Sequence, residues 1–248
     1  SGGDPLGVGQ DMMNGLGKIL RIDPLGTNSR NGEYGIPSDN PFVGDASALD
    51  EIYAYGVRNP QRFGWDPENG NFFLADIGQN IVEELSQVTA GANLGWNTWE
   101  GSYRFISRQA VDLANPQGDT SVTYPVAEYG QPDPLLQGQS AATGVHVYRA
   151  NHIPQIADMI LWADLPSGEV WAIPADDLSY GGQEVIERIL FADGGQQKTL
   201  LQLIQEKNQE QGRDPAGRAD VHLASGPNGE PLLTNKADGV IRMLIPNE

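Results

Sequence analysis

The chain has 248 residues, enough for one large β domain or two ordinary ones. Its formal net charge of −18 sets it against nucleic-acid phosphates and anionic membrane surfaces, and no apolar run approaches the length of a membrane span. The lack of cysteine excludes disulfides, cysteine-bound zinc and thiol nucleophiles, while 31 glycines and 17 prolines point to many short strands and turns.

In chain order, "SGGDPLGVGQ" reads as a mid-domain loop, so the sequence predicts a chain that starts inside its fold. "GKILRIDP" (Gly17–Pro24) opens on Gly, alternates through apolar residues and stops at Pro. A long loop is expected over Gly26–Ser47. From Ile52 a strand pattern runs to Gly56, breaks at Arg58, Asn59 and Pro60, and resumes towards Pro67. "FFLADIG" follows, and then "DIGQN" (Asp76–Asn80) forms a Gly-containing turn before Glu83 and Glu84. Beyond the Gly-rich "GANLGWNTWEG" (Gly91–Gly101), a second long loop is expected over Ile106–Val122. Strand patterns return in "TGVHVYRA", "MILWADLPSG" and "GEVWAIP" (Gly168–Pro174). Leu200, Leu201, Leu203 and Ile204 have near-helical spacing and place one short helix within Gln197–Asp214. "ADVHLAS", "LLTNKADG" and "GVIRMLIP" (Gly239–Pro246) complete the chain.

Gly17–Pro24, Gly168–Pro174 and Gly239–Pro246 share one plan, and the strands before them rhyme too: an apolar run, then Asp or Asn, then a Gly turn. Strand, polar turn and strand, recurring every few tens of residues, predicts an all-β propeller array. About four blades of roughly 40–50 residues fit the length, with no linker to divide residues 1–248 into separate domains.

The residues themselves allow two readings at each candidate site. Arg58 and Asn59 fit a solvated turn, or a grip on an anionic, oxygen-rich ligand through the planar guanidinium fork. Gly78 and Gln79 fit an ordinary blade turn, or a loop whose main-chain carbonyls face a hard cation. Glu83 and Glu84 are adjacent on a strand pattern, so at most one faces any given site. Trp96 and Trp99 read as blade packing. The three histidines, His146, His152 and His222, read as packed or surface side chains.

Gly17–Pro24, "YGVRNPQRFGWDPENGNFFLADIGQNIVEEL" (Tyr55–Leu85) and "GANLGWNTWEG" together resemble the soluble quinoprotein glucose/sorbosone dehydrogenases, the PQQ-dependent aldose sugar dehydrogenases, and the tail rhymes with them as well. The resemblance implies a six-bladed β-propeller holding pyrroloquinoline quinone (PQQ) and calcium at the channel mouth, and oxidation of an aldose to its lactone with an electron acceptor as partner. It implies cofactor contacts from Arg58, Asn59, Arg218 and Lys236, and calcium on the carbonyls of Gly78 and Gln79. Glu84 is the candidate for a second, structural calcium, with a carbonyl from Gly91–Trp96. It also implies a periplasmic or secreted location. The family's general-base histidine has no counterpart among the three here, so this chain is expected to be a propeller fragment lacking the N-terminal blades, with its catalytic base elsewhere. The rivals are a non-catalytic propeller that binds carbohydrate or protein, and a calcium-dependent lactonase.

Overall fold

The structure, a computed structural model, describes residues 2–178 and 181–247. Its strands run in chain order as β1 (Lys18–Leu20), β2 (Ile52–Tyr55), β3 (Pro60–Trp65), β4 (Phe72–Asp76), β5 (Val82–Val88), β6 (Trp99–Glu100), β7 (Tyr103–Ser107), β8 (Ala110–Asp112) and β9 (Ala127–Gly130). They continue as β10 (Ala142–Tyr148), β11 (Met159–Asp164), β12 (Val170–Pro174), β13 (Glu187–Ile189), β14 (Phe191–Asp193) and β15 (Gln196–Lys198). After α1 (Leu200–Glu210), the one α-helix among the described residues, come β16 (His222–Ser225), β17 (Pro231–Thr234) and β18 (Arg242–Met243).

These strands form a row of antiparallel blades. Two are complete four-stranded sheets, in the order β3-β4-β5-β9 and β10-β11-β12-β13. One before them has two strands, β1-β2, and one after them has three, β16-β17-β18. The expectation of four blades is met in number. The first and last are incomplete: β1 pairs with β2, Asp23 beyond it makes an isolated bridge to Gly35, and β18 closes the last sheet. A small sheet, β6-β7-β8, and the hairpin β14-β15 stand outside the row. The long loop expected over Ile106–Val122 is thus partly strand: Phe105 pairs with Val111 and Ser107 with Ala110.

Period-two alternation explains how the blades stack, since each strand sends alternate side chains to opposite faces of its sheet. Phe72 and Leu74 face back, into a core with Ala54, Val57 and Val88. Phe73 and Ala75 face forward, into a core with Val145, Val147, Ile160 and Trp162 of the next blade. Leu161 and Ala163 then face a third core with Leu223 and Leu233, which also receives Leu200, Leu201 and Ile204 of α1. The helix starts on a capping box between Thr199 and Gln202.

The innermost strands β3, β10 and β16 lie side by side across blade boundaries. Glycine permits this approach. A Cβ on Gly64 would stand 2.8 Å from the Val145 carbonyl oxygen, and one on Gly144 would stand 3.0 Å from the Leu223 nitrogen.

Candidate functional site

Strand pairing fixes which turns share one end of the row. Pro60 pairs with Asp76, Ala142 with Asp164, and His222 with Thr234. The entries to the three inner strands and the turns after β4, β11 and β17 therefore lie at a common mouth. Arg58, Asn59, Gly78, Gln79, Arg218 and Lys236 all belong to these segments.

Asp76 builds the first part of the mouth. Its carboxylate accepts the backbone N–H of Arg58 at 2.8 Å and of Asn59 at 2.6 Å. Asp164 repeats the device one blade later, accepting the Ala141 N–H and the Ser140 hydroxyl, each at 2.9 Å. An aspartate closing the second strand thus pins the chain entering the inner strand. With its backbone held, Arg58 lies half-buried, with its guanidinium 5.8 Å from the Trp96 ring centre. It donates to the Ile77 carbonyl at 2.8 Å and to Gln79 Oε1 at 3.3 Å. Asn59 is exposed beside it. Trp96 is buried as expected, and it also forms the floor under Arg58.

The Ile77–Ile81 turn is held from below. Glu100 Oε1 accepts the N–H groups of Asn80, Ile81 and Val82 at 3.0, 2.8 and 3.1 Å. Gly78 is obligatory, since a Cβ there would stand 1.6 Å from the Val82 carbonyl oxygen. Its own carbonyl accepts only a long 3.4 Å contact from Gln131. Buried Gln79 accepts the Gly3 N–H at 2.7 Å.

Glu83 and Glu84 diverge as the pleat requires. Glu83 reaches towards the next blade, accepting the Ala142 N–H at 2.7 Å and the Gln131 amide at 2.6 Å. Burial pushes its pKa up to about 8. Glu84 accepts the Gly101 N–H at 2.7 Å, and burial, then the nearby Asp76 carboxylate, drive its pKa well up. Asp76 is also raised by burial, and the backbone N–H groups of Arg58 and Asn59 act against that rise by favouring its charged form. Glu84 is therefore no solvated strand carboxylate. Its partner is Gly101, outside the expected Gly91–Trp96 segment, and among the described residues no group of three or more His, Asp or Glu is placed to hold a metal.

Arg218 and Lys236 converge on one carboxylate. Arg218 lies 2.8 Å and Lys236 3.2 Å from Asp220, and the Lys236 side chain is 82% exposed. Arg218 also donates to Gln139 at 3.3 Å. Two further side chains stand at this mouth: Arg62, not singled out in the sequence, and His222, expected there only as a packed or surface residue. His222 opens β16 and approaches the Thr143 hydroxyl at 3.4 Å. Burial lowers its pKa, and the charge of Arg62 on β3 lowers it further. Their signal was position at the start of an inner strand, which becomes visible only once the register is known. His146 is packed, bonded to Ser225 at 2.9 Å and to the Gly229 carbonyl at 3.1 Å.

Stacked antiparallel blades with polar groups gathered where the inner strands begin define a β-propeller with a mouth-side site. The chain belongs to the glucose/sorbosone dehydrogenase family, whose profile matches residues 4–196. It is 36% identical over 186 residues to the HIPL1 protein of Arabidopsis thaliana, covering 69% of this chain and 26% of that protein. It is 28% identical over 183 residues to the aldose sugar dehydrogenase YliI of Escherichia coli, covering 72% of this chain and 44% of that one. Among solved structures, a glucose dehydrogenase superposes with a TM-score of 0.62 at 21% identity, covering 96% of this chain and 56% of the other. The PQQ-bound aldose sugar dehydrogenase of Streptomyces coelicolor superposes with a TM-score of 0.58 at 22% identity, covering 97% and 54%. The chain thus spans between about a quarter and just over half of the length of these relatives.

Proposed function

We propose that this chain forms the cofactor-gripping side of a PQQ- and calcium-dependent aldose dehydrogenase. The observation that carries the reading is the gathering of Arg58, Arg62, Arg218 and Lys236 at one mouth in a chain of net charge −18. A planar tricarboxylate fits such a mouth. Arg58 on its Trp96 floor, with Asn59 beside it, would hold one edge, and Arg218 and Lys236 would exchange part of their hold on Asp220 for another. Calcium takes six to eight oxygens, so the main-chain carbonyls of Gly78 and Gln79 fit it only with oxygens from the cofactor. Bound PQQ would supply a two-electron acceptor for the hydride of a sugar's anomeric C–H, with calcium polarising the quinone oxygen.

The chain's own residues orient and exclude. Asp76 fixes the backbone of the clamp, and Trp96 keeps water from beneath the guanidinium. Of the three histidines, only His222 lies at the mouth, and its partner is Thr143. The general base is assigned to a part of the protein outside these residues, which works in the periplasm or is secreted. The sugar and the electron acceptor meet at this same mouth.

The test is PQQ titration into the protein with saturating calcium, followed by absorbance. Arg58→Ala should weaken binding about ten- to a hundredfold, as expected for loss of a charge-assisted hydrogen bond of roughly 1.5–3 kcal/mol, and Arg58→Lys should recover part of it. Equal PQQ affinity in all three proteins would return Arg58 to the role of a turn residue. Sugar-dependent dye reduction by this chain alone would show that the base lies within it.

A further inference from the structure

We propose that Asn14 is a site of spontaneous covalent modification, converting to aspartate and isoaspartate, and that the change is felt in the backbone leading to Arg58. An asparagine followed by glycine can close on itself, because a residue without a Cβ leaves its nitrogen open to the side chain before it. The chain has four such pairs: Asn14-Gly15, Asn31-Gly32, Asn69-Gly70 and Asn228-Gly229. The fold treats them unequally.

The attacking atom is the glycine nitrogen. Gly32 N–H donates to the Ser29 carbonyl at 3.0 Å, Gly70 N–H to the Asp66 carbonyl at 2.9 Å and Gly229 N–H to the Gly226 carbonyl at 3.1 Å. Each must break that bond before its nitrogen is free, which slows ring closure about two- to tenfold. Two of these pairs also hold the leaving amide: Asn31 donates to Glu33 at 3.2 Å and Asn228 to Glu230 at 2.8 Å. Gly15 is exposed, and its N–H has no acceptor among the described residues. The electrophile is prepared as well. Asn14 Oδ1 accepts the Leu16 N–H at 2.9 Å, a donor that can hold the negative charge developing on that oxygen. Asn31 and Asn69 have an equivalent donor, at 3.1 and 2.9 Å, so the free nitrogen is what sets Asn14 apart.

The chemistry needs only water. The Gly15 nitrogen bonds to Asn14 Cγ, the Cγ–Nδ2 bond breaks, and the proton displaced from Gly15 leaves with Nδ2 as ammonia. Water then opens the cyclic imide. Attack at Cγ gives aspartate. Attack at the main-chain carbonyl gives isoaspartate, whose main chain is longer by a methylene. Either product adds a negative charge, with no change in oxidation state.

The site sits in a tied segment. Buried Lys18 donates to the carbonyls of Val8, Gly9 and Leu16 at 2.7, 2.9 and 3.0 Å, on both sides of Asn14. The Gly17 carbonyl in turn accepts the N–H of Gly56 at 3.1 Å and of Val57 at 3.2 Å. Val57 precedes Arg58. A longer main chain at Asn14 displaces Leu16 and Gly17, and with them the acceptor of those two amides.

The test is ageing of the folded protein in mildly alkaline buffer, followed by tryptic mass spectrometry and labelling with an isoaspartyl methyltransferase. The peptide ending at Lys18 contains Asn14 and no other asparagine. Asn14 should convert several-fold faster than Asn31, Asn69 and Asn228. In urea, where no glycine amide is held, the four should convert at similar rates. Gly15→Ala, at an exposed position where an added Cβ meets only Leu20 Cδ1 at 4.0 Å, should keep the fold and slow Asn14 several-fold. Hydrogen exchange at Gly56 and Val57 should be faster in the aged wild-type protein than in Gly15→Ala aged beside it. Equal or faster conversion at any of the other three asparagines in the folded protein, or the same ranking in urea, would overturn the modification site. Unchanged exchange at Gly56 and Val57 would overturn its reach to Arg58.

Discussion

At the scale of single residues, the clamp depends on a carboxylate that does not face the ligand. Asp76 holds the Arg58 and Asn59 amides from 18 and 17 residues away. Asp76→Ala should destabilise the protein by about 3 kcal/mol, seen in urea unfolding, because two part-buried amides lose a charged acceptor. Asp76→Asn should keep one of those bonds and lose less. Glu83 makes the stability depend on pH. Its folded pKa of about 8 lies above its ordinary 4.5, so its favourable contribution is complete below pH 4.5 and is lost as the pH rises through about 8. Asp76 and Glu84 act in the same direction. Buried His146, with its pKa lowered, opposes them up to its ordinary value of 6.5. The net expectation is a melting temperature that falls from about pH 5 to about pH 8.5, and Glu83→Gln should flatten that fall. Arg58 and Asn59 could be read from the sequence because they interrupt a strand pattern. Asp76 as their anchor could not, because an aspartate near a turn has nearby amides as its default partners. Glu100, which holds three amides of the turn, carried no local signal at all.

At the scale of elements, glycines let neighbouring blades approach closely and one arginine bridges two of them, beside the apolar cores. Gly144 has a φ of +61°, and its Cβ would stand 2.8 Å from Leu223 Cδ1. Gly144→Ala should therefore cost about 2–4 kcal/mol in chemical denaturation, combining backbone strain with overpacking. Gly138→Ala, with a φ of +78° and nothing within 4 Å, should show the strain alone. Arg149 joins two blades. It lies 2.6 Å from Asp66 at the end of β3, and 2.7 and 3.2 Å from Asp176 and Asp158 around the next blade. The Asp66 side chain is fully buried, so Arg149→Ala strands a charge and should cost about 3–5 kcal/mol, whereas removing both charges by Arg149→Met with Asp66→Asn should cost less. The helix was legible from four apolar residues at the right spacing. The hairpin of β7 and β8 was not, because its strands lie outside the cores and bury none of their residues fully.

At the scale of the whole molecule, the repeat of Gly arm and Asp turn made the row of blades legible, because each blade must solve the same problem of burying two faces. It did not reveal which blades were complete, since strand partners distant in sequence leave no mark on the arm itself. The mouth was legible in part: the family pattern located its candidate cations, while the register supplied Arg62 and His222. The architecture also has a consequence for how the molecule comes apart. Successive blades meet through three separate apolar cores, each shared by two neighbours. Such an array behaves like a short chain of nearest-neighbour couplings, and its cooperativity is only as strong as its weakest junction. Amide exchange should therefore be graded along the row, slowest in β11 and β12, where both faces are covered, and fastest in β1, whose sheet has two strands. A single exchange rate shared by all four blades would mean that the junctions are stiffer than their separate cores imply.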